Sequence, residues 1–244
     1  MEESVILEKE NFEEFLRTIS ILIDECNDVD IKGGVIRQRS NQKTSFFEID
    51  MNNILPEINM PMTDLKQKID LLKIFLNEEK VEIINSEDWI VFTDYVSKLK
   101  FRKPLDNFLD NNFISLEELE KIFVLDESQI ILKASIPKNI TDRIKTVSKV
   151  FNVNSVKVYF DGIKASIKSS AVSGQQAAMF IKDIITEKEI EKSFCSITTT
   201  PFILDHDTDI DMTVYMMTDM DLITKFSSMI GFTPINIFVK ARLT

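Results

Sequence analysis

Residues 137–151 read PKNITDRIKTVSKVF. At helical spacing Ile140, Ile144, Val147 and Phe151 fall on one side, the buried stripe of an amphipathic helix. Lys138, Arg143, Lys145 and Lys149 fall elsewhere, with Asp142 the one acid in the run. Pro137 suits the first turn, where its missing N–H would have had no intrahelical partner. The chain holds 40 acidic and 29 basic residues, for a formal net charge of −11 at pH 7. Most solvated helices mix both signs, and acids are plentiful here. A basic helix face on an acidic protein implies a local anionic partner.

Around this helix the second half of the chain alternates strands and turns. QIILKASI (129–136) precedes it as a strand. VNSVKVYFDG (153–162) and IKASIKSS (163–170) follow as a hairpin turning at Asp161-Gly162. QAAMFIKDI (176–184), SFCSITTT (193–200) and DMTVYMM (211–217) read as further strands. TDMDLITKFSSMIGF (218–232) reads as a last helix bearing Lys225, and INIFVKARL (235–243) as the closing strand.

The first half has the same order. SVILE (4–8) is a strand, and NFEEFLRTISILIDE (11–25) a helix with Asn11 as N-cap and Phe12, Phe15, Leu16, Ile19, Leu22 and Ile23 as its stripe. DIKGGVIRQRS and KTSFFEIDM are strands joined at Ser40-Asn41-Gln42. After Pro56 and Pro61, TDLKQKIDLLKIFL (63–76) is a helix with Leu65, Ile69, Leu72 and Phe75 inward. KVEIINSEDWIVFTDYVSKLKFRKP (80–104) gives successive strands around an NSED turn, and RKPLDNFLDNNFISLEELEKIF (102–123) a connector. An element order repeated with a period of about 120 residues is an internal repeat of architecture, and helices among antiparallel strands make an α+β fold.

A length of 244 residues suits one large domain or two of about 120 residues each. An apolar share of 44% and a charged share of 28% are ordinary for a globular protein with a core. Cys26 and Cys195 lie far apart without CxxC spacing and read as buried free thiols of a reducing, cytoplasmic setting. The start MEESVILEKENFEEF has no continuous apolar core, so a signal peptide is not expected. No run of about 18 apolar residues implies a membrane span.

Catalytic signatures are missing: there is no GxSxG, HExxH or CxxC, so an enzyme, a cofactor or a metal is not expected. His206, the only histidine, sits among Asp205, Asp207, Asp209 and Asp211. That stretch lacks the central Gly and terminal Glu of a calcium loop and reads as a solvated acidic loop. KGGV (32–35) lacks GK[ST] and reads as a bend or bulge within a long strand. What stands out is the basic set: Arg17 on the first helix, diluted by Glu13, Glu14 and Asp24; Lys66, Lys68 and Lys73 on the second; Lys138, Arg143, Lys145 and Lys149 on the third; Lys225 on the fourth. Any one of these fits a solvated charge. Together, with Lys66 and Lys73, and Lys138 and Lys145, spaced about two turns apart, they form faces able to contact phosphates without reading bases.

In this order of elements the chain resembles the DNA sliding clamps, the polymerase processivity factors, and most nearly the two-domain type of tailed phages and of proliferating cell nuclear antigen. The resemblance is carried by NFEEFLRTISILIDE, IKGGVIRQRSNQKTSFFEIDM, LKQKIDLLKIFLNEEKVEIINSEDWIVFTD and ASIPKNITDRIKTVSKVFNVNSVKVYFDGIKASI. It implies two similar clamp domains, 1–103 and 124–244, with an interdomain connector at 104–123 that leads into the second. Antiparallel sheets would lie outside and four helices on the inner face of a ring, usually a homotrimer, around double-stranded DNA of any sequence. Such a ring tethers a replicative polymerase and is placed by a clamp loader.

The resemblance also implies edge-to-edge subunit joints, here through YVSKLKF (95–101) and AAMFIKDI (177–184). The interface residues would be Tyr95, Val96, Lys98, Leu99 and Phe101 on one side and Ala178, Met179, Phe180 and Ile181 on the other. Partner tails would dock at Leu105, Phe108, Leu109 and Phe113, near Asn41. One departure is expected: a single strand after the last helix, where relatives continue through two more, implying an abbreviated second domain. The other classes open to the sequence are a monomeric clamp-like accessory or transcription factor holding DNA by charge, and a plain protein-interaction domain with solvated lysines. Abundant Lys, Ile and Asn fits a viral source with AT-rich codons.

Overall fold

The computed structural model describes residues 3–56, 58–104, 125–160, 165–181, 184–186, 193–217 and 221–242. The chain divides into two compact units: Met1–Lys43, Phe47–Leu116 and Gly231–Pro234 in the first, and Thr44–Phe46, Glu117–Ile230 and Ile235–Thr244 in the second.

The first unit runs β1 (Glu3–Glu8), α1 (Lys9–Ser20), β2 (Val29–Lys32), β3 (Val35–Arg39), β4 (Ser45–Asp50), β5 (Met60–Met62), α2 (Leu65–Leu72), β6 (Lys80–Asn85), β7 (Trp89–Thr93) and β8 (Lys98–Arg102). One group of strands has the order β1-β6-β7-β8, all antiparallel, and the other β5-β2-β3-β4. The helices form as their spacing predicts. In α1, Phe12, Phe15, Leu16 and Ile19 are buried, and the Phe15 ring lies 6.3 Å from that of Phe92 on β7. The α2 stripe of Leu65, Ile69 and Leu72 is fully buried, as is Phe75 in the 3-10 turn Lys73–Phe75 that extends it. Each such side chain contributes about 1.5–3 kcal/mol through burial.

The second unit runs β9 (Ile130–Ile136), α3 (Lys138–Phe151), β10 (Ser155–Phe160), β11 (Ala165–Ser170), β12 (Gln176–Ile181), β13 (Ile184–Thr186), β14 (Ser193–Thr198), α4 (Thr200–Ile203), β15 (Ile210–Met216), β16 (Asp221–Ile230) and β17 (Thr233–Arg242). Its groups are β14-β10-β11-β12 and β13-β9-β15-β16-β17. The first repeats the order of β5-β2-β3-β4, and the strands β9-β15-β16-β17 repeat β1-β6-β7-β8. The repeat is therefore one of topology as well as element order. The fold is α+β, two similar units of antiparallel strands, with four α-helices among the described residues.

Several expectations are corrected. Residues 221–230 are a strand, not a helix: β16 pairs with β15 from Asp211↔Ser227 to Met216↔Leu222. Leu222, Ile223, Thr224 and Phe226 are buried, and pairing with β15 outweighs the weak helical spacing. The fourth helix is α4, with Pro201 near its start. Three strands follow it among the described residues, where a single one was expected after the last helix. Asn11 lies inside α1, whose N-cap is Glu8.

The KGGV glycines form no bulge. They are a two-residue hairpin turn between Lys32 and Val35, with φ of 57° at Gly33 and 74° at Gly34, as a type I′ turn requires. The buried stripe of α3 is Thr141, Ile144 and Ser148, with Ile140, Val147 and Phe151 half-buried. The Asp161-Gly162 turn lies outside the described residues, although β10 and β11 pair as an antiparallel hairpin.

Candidate nucleic-acid interface and strand edges

The predicted cations sort by what their side chains meet. Lys66 on α2 and Lys138, Arg143 and Lys149 on α3 are exposed, and none forms an ion pair with a described residue. Lys138, Lys145 and Lys149 share one flank of α3, but Lys145 is half-buried and joined to Asp205. Lys73 is exposed and pairs with Asp70 at 2.6 Å, and this contact holds the Asp70 carboxyl below its ordinary range. Arg17 is exposed on α1. Glu14 does not dilute it: that carboxylate is buried and accepts hydrogen bonds from Phe232 N (3.2 Å) and the Thr233 hydroxyl (3.1 Å).

Two predicted contacts are misplaced. Lys68 is buried, donating from Nζ to Thr63 Oγ1 at 3.1 Å and lying 5.6 Å from the Phe101 ring centroid. Burial pushes its pKa down. It belongs to the packing of the first unit and cannot reach solvent anions. Lys225 is on β16, not on a helix, half-buried with Nζ 5.7 Å from the Phe238 ring centroid.

His206 is also unlike the expected solvated loop. It is 5% exposed, with Nε2–H donating to Pro201 O at 2.7 Å and Nδ1 accepting from the Ser228 hydroxyl. Burial lowers its pKa. It ties α4 and β16 to the loop before β15. Among the described residues no group of three or more His, Cys, Asp or Glu side chains gathers to hold a metal. Cys26 is a buried free thiol whose pKa is pushed up to about 12 by burial, with Glu25 and Asp28 adding to it, so it has no thiolate character at neutral pH. The Cys195 side chain lies outside the described residues.

The two expected joint segments are strand edges. β8 ends the β1-β6-β7-β8 order and β12 ends β14-β10-β11-β12, so each has one edge without a strand partner among the described residues. On β8, Lys98 is exposed and Leu99 and Phe101 are half-buried, with the Phe101 ring 5.8 Å from that of Phe92. Tyr95 and Val96 are not on the strand. They sit at the tip of the β7–β8 turn, 75% and 93% exposed, and Tyr95 is held at φ 72°. Asp94 Oδ1 accepts from Val96 N at 2.8 Å and Thr93 Oγ1 from Tyr95 N at 3.1 Å, which fixes this apolar tip in solvent.

On β12, Met179 and Ile181 point into the core, while Ala178 and Phe180 are exposed, Phe180 by 66%. A cleft of about 430 Å³ beside β12 is lined by Pro137, Ile140, Arg143, Ala178, Met179 and Phe180. Neither edge strand is separable from core strands by periodicity alone. Asn41 is exposed in the turn Ser40–Lys43, its N–H bonded to Glu25 O at 2.8 Å. Leu105, Phe108, Leu109 and Phe113 lie outside the described residues. No helix among the described residues is long and apolar enough to cross a membrane.

By sequence, no known protein family and no curated protein matches the chain. Solved structures do. The PCNA of Thermococcus kodakaraensis superposes with a TM-score of 0.65 at 12% identity, over 99% of this chain and 100% of that one. A. fulgidus PCNA, solved with the C-terminal region of FEN-1 bound, gives 0.63 at 13% identity, over 99% and 98%. The proliferating cellular nuclear antigen of Entamoeba histolytica gives 0.65 at 12% identity, over 98% of each chain. The chain has the sliding-clamp fold.

Proposed function

We propose that the protein is a non-enzymatic DNA sliding clamp: several copies close into a ring around duplex DNA and tether a replicative polymerase. The observation that carries this reading is the pair of strand edges, β8 in one unit and β12 in the other, on a clamp fold covered end to end. A free edge invites pairing with another chain unless it is covered. One edge of each kind per chain makes a head-to-tail joint, and head-to-tail joints make rings when the rotation closes. The apolar tip Tyr95-Val96 and the cleft beside Phe180 would be covered in the same joint. The exposed cations of α2 and α3, with Arg17 of α1, would meet phosphate oxygens without reading bases. Partner tails of the kind bound by the A. fulgidus protein would dock beside the connector 104–123, at Leu105, Phe108, Leu109 and Phe113, near Asn41.

The test is solution mass by light scattering over a range of protein concentrations, on the wild-type chain and on Tyr95→Ala. A homotrimer has a mass of three times 28.2 kDa. Tyr95→Ala is expected to shift the mass toward 28.2 kDa without loss of fold. A wild-type chain that stays monomeric at every concentration overturns the ring and favours a factor that holds DNA by charge alone.

A further inference from the structure

β8 reads KLKFR and runs on into Lys103, so one short edge strand and the residue after it hold four cations in a chain of net charge −11. Leu99 and Phe101 turn toward the core below α1. Lys98, Lys100 and Arg102 alternate with them and stand exposed on the opposite face of the sheet. Trp89 on β7, the only tryptophan of the chain, pairs directly across from Arg102. Lys100 Nζ lies 4.1 Å from the Trp89 ring centroid. None of Lys98, Lys100 and Arg102 forms an ion pair with a described residue, although 40 acids are available.

Alternate residues of a strand are about 6.8 Å apart, so the three cations form a straight, evenly spaced row. An extended polypeptide with an acid at every second position has the same spacing and offers one carboxylate to each cation. Stacking of a nucleic-acid base on Trp89 is disfavoured, because Lys100 already covers a face of the ring. Pairing along the β8 edge leaves the row free, since these side chains project from the sheet face and not from its edge. Lys98 borders the joint proposed above, whereas Lys100 and Arg102 are not among its residues.

We propose that the β7–β8 face turned away from α1 is a docking site for an extended acidic segment of a partner protein, with Lys98, Lys100 and Arg102 taking carboxylates at alternate positions. Trp89 is a built-in reporter. The experiment titrates the full chain with a labelled (Glu-Thr) repeat peptide, reading Trp89 emission and peptide anisotropy, alongside a (Gln-Thr) peptide and an oligo-dT strand. Expected are a saturable response to the acidic peptide alone and weakening of about tenfold on raising salt, since exposed pairs are screened. A comparable loss is expected in Lys100→Gln/Arg102→Gln, two cations outside the proposed joint, with none in Lys66→Gln, whose charge is on α2. Equal binding of the (Gln-Thr) peptide, no saturable response, or an unchanged affinity in the double variant overturns the proposal. Binding of oligo-dT in place of the peptide overturns it in favour of a nucleic-acid site.

Discussion

His206 is neutral in the folded chain because its ring is buried and its one N–H is already given to Pro201 O. Asp205 and Asp207 favour the charged ring and Lys145 opposes it, but burial is the largest influence and lowers the pKa below the ordinary 6.5. The unfolded chain then binds a proton more readily than the folded one, so stability falls as pH drops from about 6.5 toward the folded pKa, by at most about 1.4 kcal/mol per pH unit. Urea unfolding of wild type and His206→Gln at pH 7.5 and 5.5 checks this. The wild type is expected to be the more stable at pH 7.5, and its advantage to shrink at pH 5.5. Lys68 and Lys66 make a second residue-scale contrast, since they are two positions apart on α2 and only Lys66 meets solvent. Lys68→Met removes a desolvated charge, and its stability is expected to be unchanged or higher by about 1 kcal/mol. Its salt dependence of DNA binding should match wild type, whereas Lys66→Met lowers the salt slope by about one.

At the scale of elements, the turn between β2 and β3 shows why two adjacent glycines are not equivalent. A Cβ on Gly34 would collide with Asn52 Oδ1 and lie 2.5 Å from Leu55 O, at a φ of +74°; one on Gly33 would meet nothing within 4 Å. Gly33→Ala is expected to cost about 1–2 kcal/mol, from the left-handed backbone alone. Gly34→Ala should cost clearly more, because the Leu55 carbonyl is backbone and must shift; thermal unfolding of the two variants side by side decides it. Elements of this size also mark what the sequence can reveal. The stripes of α1 and α2 are legible because each buries one face against a sheet, which leaves an unbroken apolar period in the residues themselves. β16 is not, since TDMDLITKFSSMIGF satisfies both periods loosely and only pairing with β15 decides between them. α4 has four residues and cannot display a period. The cations were legible as a set but not one by one: Lys145 is engaged by Asp205 and Lys68 by Thr63 and Phe101, contacts that depend on tertiary packing.

On the scale of the whole molecule, the clamp reading separates two things a charge-held factor would combine. In a closed ring, cations on α2 and α3 speed encounter and soften sliding, while topology sets how long the protein stays on DNA. On that reading, a chain of net charge −11 would approach DNA through those exposed cations, which offset its overall repulsion locally. The variant with Lys66, Lys138, Arg143 and Lys149 all changed to Gln isolates the two effects, because none of the four is buried or ion-paired to a described residue. Direct binding to a linear duplex should weaken, with a salt slope smaller by roughly one per residue removed. The assembly mass should not change, and the lifetime of protein already on a nicked circular DNA should stay within about twofold of wild type, because encirclement requires no tight contact. Cutting the circle should then release wild type and variant alike. A lifetime on the intact circle that falls together with the linear affinity would mean that charge, not closure, holds the DNA, and the ring would have to be abandoned.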